Sequence, residues 1–106
     1  MQLTEWLAYA GAEYQQLIHT VREARVQLAV LRSALRLDRL YGVSRSAEHY
    51  NKVRRELAEY TERANDAERR ASELQTVITQ VEQHLQEAET REDGRGESSD
   101  EDGDGG

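Results

Sequence analysis

Apolar side chains recur along this chain at alternating intervals of three and four. In the second half the row runs Tyr50, Val53, Leu57, Tyr60, Ala64, Ala67, Ala71, Leu74, Ile78, Val81, Leu85 and Ala88, without a break. Such a heptad repeat is the seam of a left-handed coiled coil, with Tyr50 at an a position and Val53 at d. The first half repeats it as Leu3, Leu7, Ala10, Tyr14, Leu17, Val21, Ala24, Leu28, Leu31 and Leu35, with Leu7 at a and Ala10 at d. Both halves are predicted helices that pack through one face.

The two rows are out of phase. Counting on from Leu35, the next a position is Gly42; counting back from Tyr50, it is Val43. One added residue rotates a side chain by about 100°, so a single straight rod loses its seam here, whereas a turn removes the conflict. The local residues suit a turn. Gly42 can take the left-handed conformation that ends a helix, and Arg36 and Arg39 match the negative C-terminal end of the first helix. Ser44 or Ser46 can cap the next helix, with Glu48 in its first turn. The expected fold is all-α: an antiparallel two-helix coiled-coil hairpin over residues 1–91. Its helices cover about 4–40 and 46–91, with the turn at 41–45.

A first helix of that length reaches roughly 55 Å, and folding back at Gly42 brings Leu3 beside Leu85. The same alignment sets Leu17 opposite Ala71, Val21 opposite Ala67 and Leu28 opposite Tyr60, large against small. The layer of Ala24 and Ala64 is thin on both sides. It requires either a close approach of the helices or a third element to fill it.

A second apolar row lies on the first helix, nearly opposite the seam: Val26, Val30, Ser33, Leu37 and Leu40, at f and c positions. A hairpin alone covers only one of these faces, and an exposed row of Val and Leu marks an interface. The expected completion is a four-helix bundle, reached by homodimerisation or by a partner helix docking on helix one. Burying four or five such side chains at about 1.5–3 kcal/mol each is large beside typical domain stability. An isolated monomer is therefore expected to be weakly stable. Between the rows runs a stripe of arginines, Arg22, Arg25, Arg32, Arg36 and Arg39, at b and e positions. They are expected to pair with glutamates of the neighbouring helix, such as Glu56, Glu59 or Glu68. A strip facing phosphate or acid is the alternative.

Composition agrees with helix and narrows the chemistry. The chain of 106 residues has no proline and no cysteine, which excludes a disulfide framework and a thiolate metal site. Its start, MQLTEWLAYAGAEY, lacks the basic and continuously apolar runs of a signal peptide or membrane span, so a soluble protein outside the membrane is expected. Compartment stays open, with cytoplasm or a virion fitting better than secretion. The net charge of −7 belongs to the end of the chain. Through Arg91 there are 14 acids and 13 bases, whereas residues 92–106 carry seven acids, one arginine and five glycines. With no apolar side chain to bury, that segment is expected to be a disordered acidic tail. Ser98 and Ser99, which precede acids, are candidates for phosphorylation.

Nothing in the spacing points to catalysis or to a cofactor. His19, His49 and His84 are far apart, and none has a second ligand three or four residues on. There is no Glu-x-x-His pair, no Gly-x-x-x-x-Gly-Lys and no Gly-x-Ser-x-Gly, and Ser33, Ser44, Ser46 and Ser72 lack a nearby base. Trp6 and Ile18 widen the first seam sideways, as core or as a docking knob. The tyrosines are dispersed and offer no stacking platform, so protein, not nucleic acid, is the expected partner.

The outline of two antiparallel helices, a central glycine turn and an acidic end resembles the WXG100 family of small secreted helical-hairpin dimers. Here Leu40-Tyr41-Gly42 stands in place of that family's Trp-x-Gly, and its Tyr-x-x-x-Asp/Glu signal has no counterpart after the second helix. SRSAEHYNK at Ser44 to Lys52 resembles the Ser-x-x-Ala-Glu-Tyr segment after the coiled-coil tip of Gre-type transcript cleavage factors. Val43 stands where that tip carries an acid, and the second domain is not in the sequence. The expected function is a non-enzymatic structural or adaptor protein of a larger assembly, such as a virion, tail or complex-assembly component. The alternatives are a WXG100-like secreted hairpin, and an inhibitor or DNA mimic that uses the acidic tail.

Overall fold

The structure, a computed structural model, describes residues 2–103, with side chains described through Arg91. Helix α1 spans Leu3–Leu40 and helix α2 spans Ala47–Gly103. Among the described residues these two helices make the whole fold, an antiparallel helical hairpin. The helical backbone of α2 continues past residue 91, where the apolar row ends. Composition predicts a disordered acidic tail over 92–106 after a second helix ending near 91; the helix instead extends through Gly103, and residues 104–106 lie outside the described ones.

The chain reverses through a glycine-terminated helix end. Gly42 sits at φ 65°, and Tyr41 before it at φ −94°, ψ 6°. The N–H of Val43 donates to the carbonyl of Asp38 at 2.8 Å, and that of Gly42 to the carbonyl of Arg39 at 3.4 Å. This nested pair satisfies carbonyls that the end of α1 otherwise leaves without donors. Ser46, not Ser44, caps α2: its hydroxyl accepts from the N–H of His49 at 3.1 Å, the third residue of the new helix. The one-residue slip of the two seams is therefore absorbed where the helices break.

Side chains then brace the turn. Arg45 Nε donates to Asp38 Oδ2 at 2.8 Å, and its Nη2 to Oδ1 at 3.2 Å, a two-pronged pair. The Tyr50 hydroxyl accepts from the Arg45 N–H at 3.2 Å and donates to the Val43 carbonyl at 3.5 Å. Asp38 stands at the d position after Leu35, so the seam of α1 ends on a carboxylate that the turn itself neutralises.

The two heptad rows face each other. The buried residues are Ala10, Val21, Ala24 and Leu28 of α1 with Val53, Ala64, Ala67 and Ala71 of α2, every one a predicted seam position. Register follows from links across the pair. Arg25 bridges to Glu68, Gln27 shares a hollow with Tyr60 and Arg63, and Leu35 shares another with Val53. Each step along α1 is thus matched by a step back along α2, which sets Ala24 level with Ala64. Both are almost fully covered, at 2% and 4% exposed. The thin layer is covered within the hairpin itself, and no third element is needed there. Alanine suits such a layer because its methyl group fills little depth. Trp6 and Ile18 are half-buried beside the seam, within the hairpin's own packing.

Candidate docking surface

The chain measures 88 × 27 × 14 Å, its length set by α2, which runs on past the start of α1. A single helix with its side chains is about 10–12 Å across, so the short dimension is one helix thick. Neither broad face of the pair is covered, and the outer edge of each helix meets solvent.

On the outer edge of α1 stands the second apolar row. Val26 is 59% exposed, Val30 56%, Leu37 51% and Leu40 72%, with Ser33 exposed between them. Turn residues lengthen it, since Tyr41 and Val43 are also exposed. Toward the open end the same edge becomes polar: His19 Nε2 lies 2.9 Å from Glu23 Oε1, and Gln16 precedes them. Tyr9 alone is a large exposed apolar group there. The apolar strip therefore belongs to the half of α1 nearest the turn. It covers about four turns of helix, or roughly 20 Å.

All five arginines of the predicted stripe are exposed. Arg25 alone is drawn into the hairpin, its Nη2 2.6 Å from Glu68 Oε2. Among the described residues, Arg22, Arg32, Arg36 and Arg39 form no salt bridge. The expectation that Glu56 and Glu59 would also serve the stripe meets the geometry of the antiparallel pair. The e positions of α1 face the e positions of α2, and beside Arg32 and Arg39 these hold Thr61 and Arg54. Arg39 and Arg54 line one hollow together with Tyr50.

Hydrogen bonding at the turn shifts the ionisation of both Asp38 and Arg45. The hydrogen-bonded Arg45 guanidinium holds the Asp38 carboxyl below its ordinary value, with a smaller contribution from the charge of His49. The same bond raises Arg45. This is a structural clasp, and Gly42 and Ser46 beside it serve the chain reversal. Among the described residues no group of His, Asp and Glu is arranged to hold a metal ion, and no buried side-chain polar atom lacks a hydrogen-bond partner. No helix is long and apolar enough to cross a membrane, among the described residues. No family model matches the chain, and no curated protein and no solved structure matches it either.

The Asp38–Arg45 clasp and the Tyr50 hydroxyl are not visible in heptad counting. Asp38 breaks the row of apolar d positions, and that break is the one signal of it in the sequence.

Proposed function

We propose that this chain is a non-enzymatic adaptor or structural protein that joins a larger assembly by docking a helix on the outer edge of α1. The exposed row Val26, Val30, Ser33, Leu37 and Leu40 carries this reading. A water-soluble surface seldom keeps four large aliphatic groups in line at heptad spacing unless another surface covers them. The rows that join α1 to α2 are already satisfied by each other, so the outer row is surplus to the hairpin's own folding. A helix laid along it, from another protein or from a second copy, completes a helical bundle.

The test is the double substitution Val30→Glu with Leu37→Glu. Light scattering on the native chain is expected to give a mass above that of a monomer either alone, if the row takes a second copy, or on mixing with its assembly partner. The double variant is expected to lose it while keeping its helical circular dichroism. An assembly of unchanged mass in the variant removes the outer row from the interface.

A further inference from the structure

We propose that the occupant of this row is an acidic amphipathic helix of another protein and not a second copy of the chain. The inference rests on the docking reading above and adds the chemistry of the partner.

Charge is distributed unevenly along the folded hairpin. Residues 24–64, which the chain reversal and the Ala24–Ala64 register gather at the turn end, hold nine basic side chains and five acidic ones, Asp38, Glu48, Glu56, Glu59 and Glu62, the last four all on α2. Asp38 is already paired with Arg45. The rest of the chain through Arg91 holds four basic and nine acidic side chains. From Ala24 to Leu37 there is no acid at all, over the length of α1 that bears most of the apolar row. Arg22 and Arg36 occupy b positions immediately beside that row, and Arg32 and Arg39 lie one stripe further round. None of the four is neutralised within the described residues. The docking edge is thus an apolar strip with an arginine border.

Among the described residues no surface of the chain complements this edge. Two copies packed α1 antiparallel to α1 about a two-fold axis bring the same arginine border against itself, which costs free energy through like-charge repulsion, and a parallel pair sets it against Gln27, Ala34 and Tyr41, which carry no acid to meet it. The outermost c and f positions of α2 from Lys52 to Gln83 hold only charged, Thr and Gln side chains, and among the described residues Val77 is the one large exposed apolar group on α2, so α2 cannot fill an apolar row. Residues 92–106 have acid but no apolar group. The complement must combine both: Leu, Ile or Val at alternating three and four spacing, with Glu or Asp along the flank. Arginine and tyrosine are among the residues that anchor protein interfaces, and both border this apolar row. Duplex DNA would use the arginines and leave Val30, Leu37 and Leu40 in water.

The experiment uses the full chain and a synthetic helical peptide of about three heptads with Leu at a and d and Glu at the flanking positions. Its twin carries Lys in place of Glu, and random-sequence duplex DNA is the third probe. Titration calorimetry is expected to show the Glu peptide binding about tenfold or more tighter than the Lys twin, with the gap shrinking at high salt. Arg32→Glu with Arg36→Glu should close or reverse the gap. Val30→Glu with Leu37→Glu should abolish binding of the Glu peptide. Circular dichroism of each variant confirms that the hairpin persists, since all four positions are exposed.

Equal affinity for the two peptides overturns the inference, as does tighter binding of DNA than of the Glu peptide. Sedimentation of the chain alone separates this failure from that of the docking reading. A dimer dissociated by Val30→Glu with Leu37→Glu upholds docking on the outer row and overturns the acidic partner. A monomer that binds neither peptide overturns both.

Discussion

Arg45 reaches back across the turn to hold Asp38 with two hydrogen bonds, at 2.8 and 3.2 Å. The pair joins the last turn of α1 to the residue that precedes the cap of α2. It fixes the angle at which the second helix returns and leaves the seam of α1 without an unpaired charge.

This pairing makes stability depend on acidity in a definite sense. The folded Asp38 value lies below the ordinary aspartate value of 3.8, so as pH falls the unfolded chain binds its proton first. The contribution is complete above that ordinary value and disappears as pH drops through the folded one. Asp38→Asn should therefore lower the urea midpoint near neutrality. The gap from the native chain should narrow below about pH 4. A gap independent of pH down to strong acid would show that the charge on Asp38 is not what matters.

The two glycines within the hairpin are expected to respond in opposite directions. At Gly42, φ is +65°, so Gly42→Ala places a methyl group in the left-handed region and should cost about 1–2 kcal/mol. At Gly11 a methyl group meets nothing within 4 Å, and the backbone is helical. Gly11→Ala should stabilise by about 0.5–1 kcal/mol. Denaturant unfolding of both variants checks the signs together.

The alanine layer leaves little room for a larger side chain. Ala64 is level with Ala24 and both are buried, so Ala64→Leu must push the helices apart or distort their rotamers. A loss of about 1–3 kcal/mol is expected by chemical denaturation. A gain in stability would mean that the layer holds a gap.

The Arg25–Glu68 bridge is the reverse case, because both side chains are well over half exposed. Glu68→Ala should cost under about 1 kcal/mol, and a double-mutant cycle with Arg25→Ala should give a coupling that fades with added salt. The bridge marks the register and contributes little to holding it.

Helix, turn and seam were all legible in the residues because each is a local property. Heptad spacing repeats every two turns regardless of what the helix meets, and the single slipped residue between Leu35 and Tyr50 announces a break. Gly42 could be named as the reversal since no other residue nearby takes positive φ readily. Ser46 could be named only together with Ser44, because the two differ in where the helix begins and not in their chemistry.

Sequence alone thus determined that two apolar-faced helices must fold back on each other, since burial of a heptad row follows from periodicity. Tertiary structure decided which charges meet. Salt bridges join side chains that are distant in sequence, and only the antiparallel register brought Arg25 to Glu68 while leaving Arg32 and Arg39 beside Thr61 and Arg54. The same register covered the Ala24 and Ala64 layer and left the row from Val26 to Leu40 in solvent, because a hairpin one helix thick has no second surface to cover it.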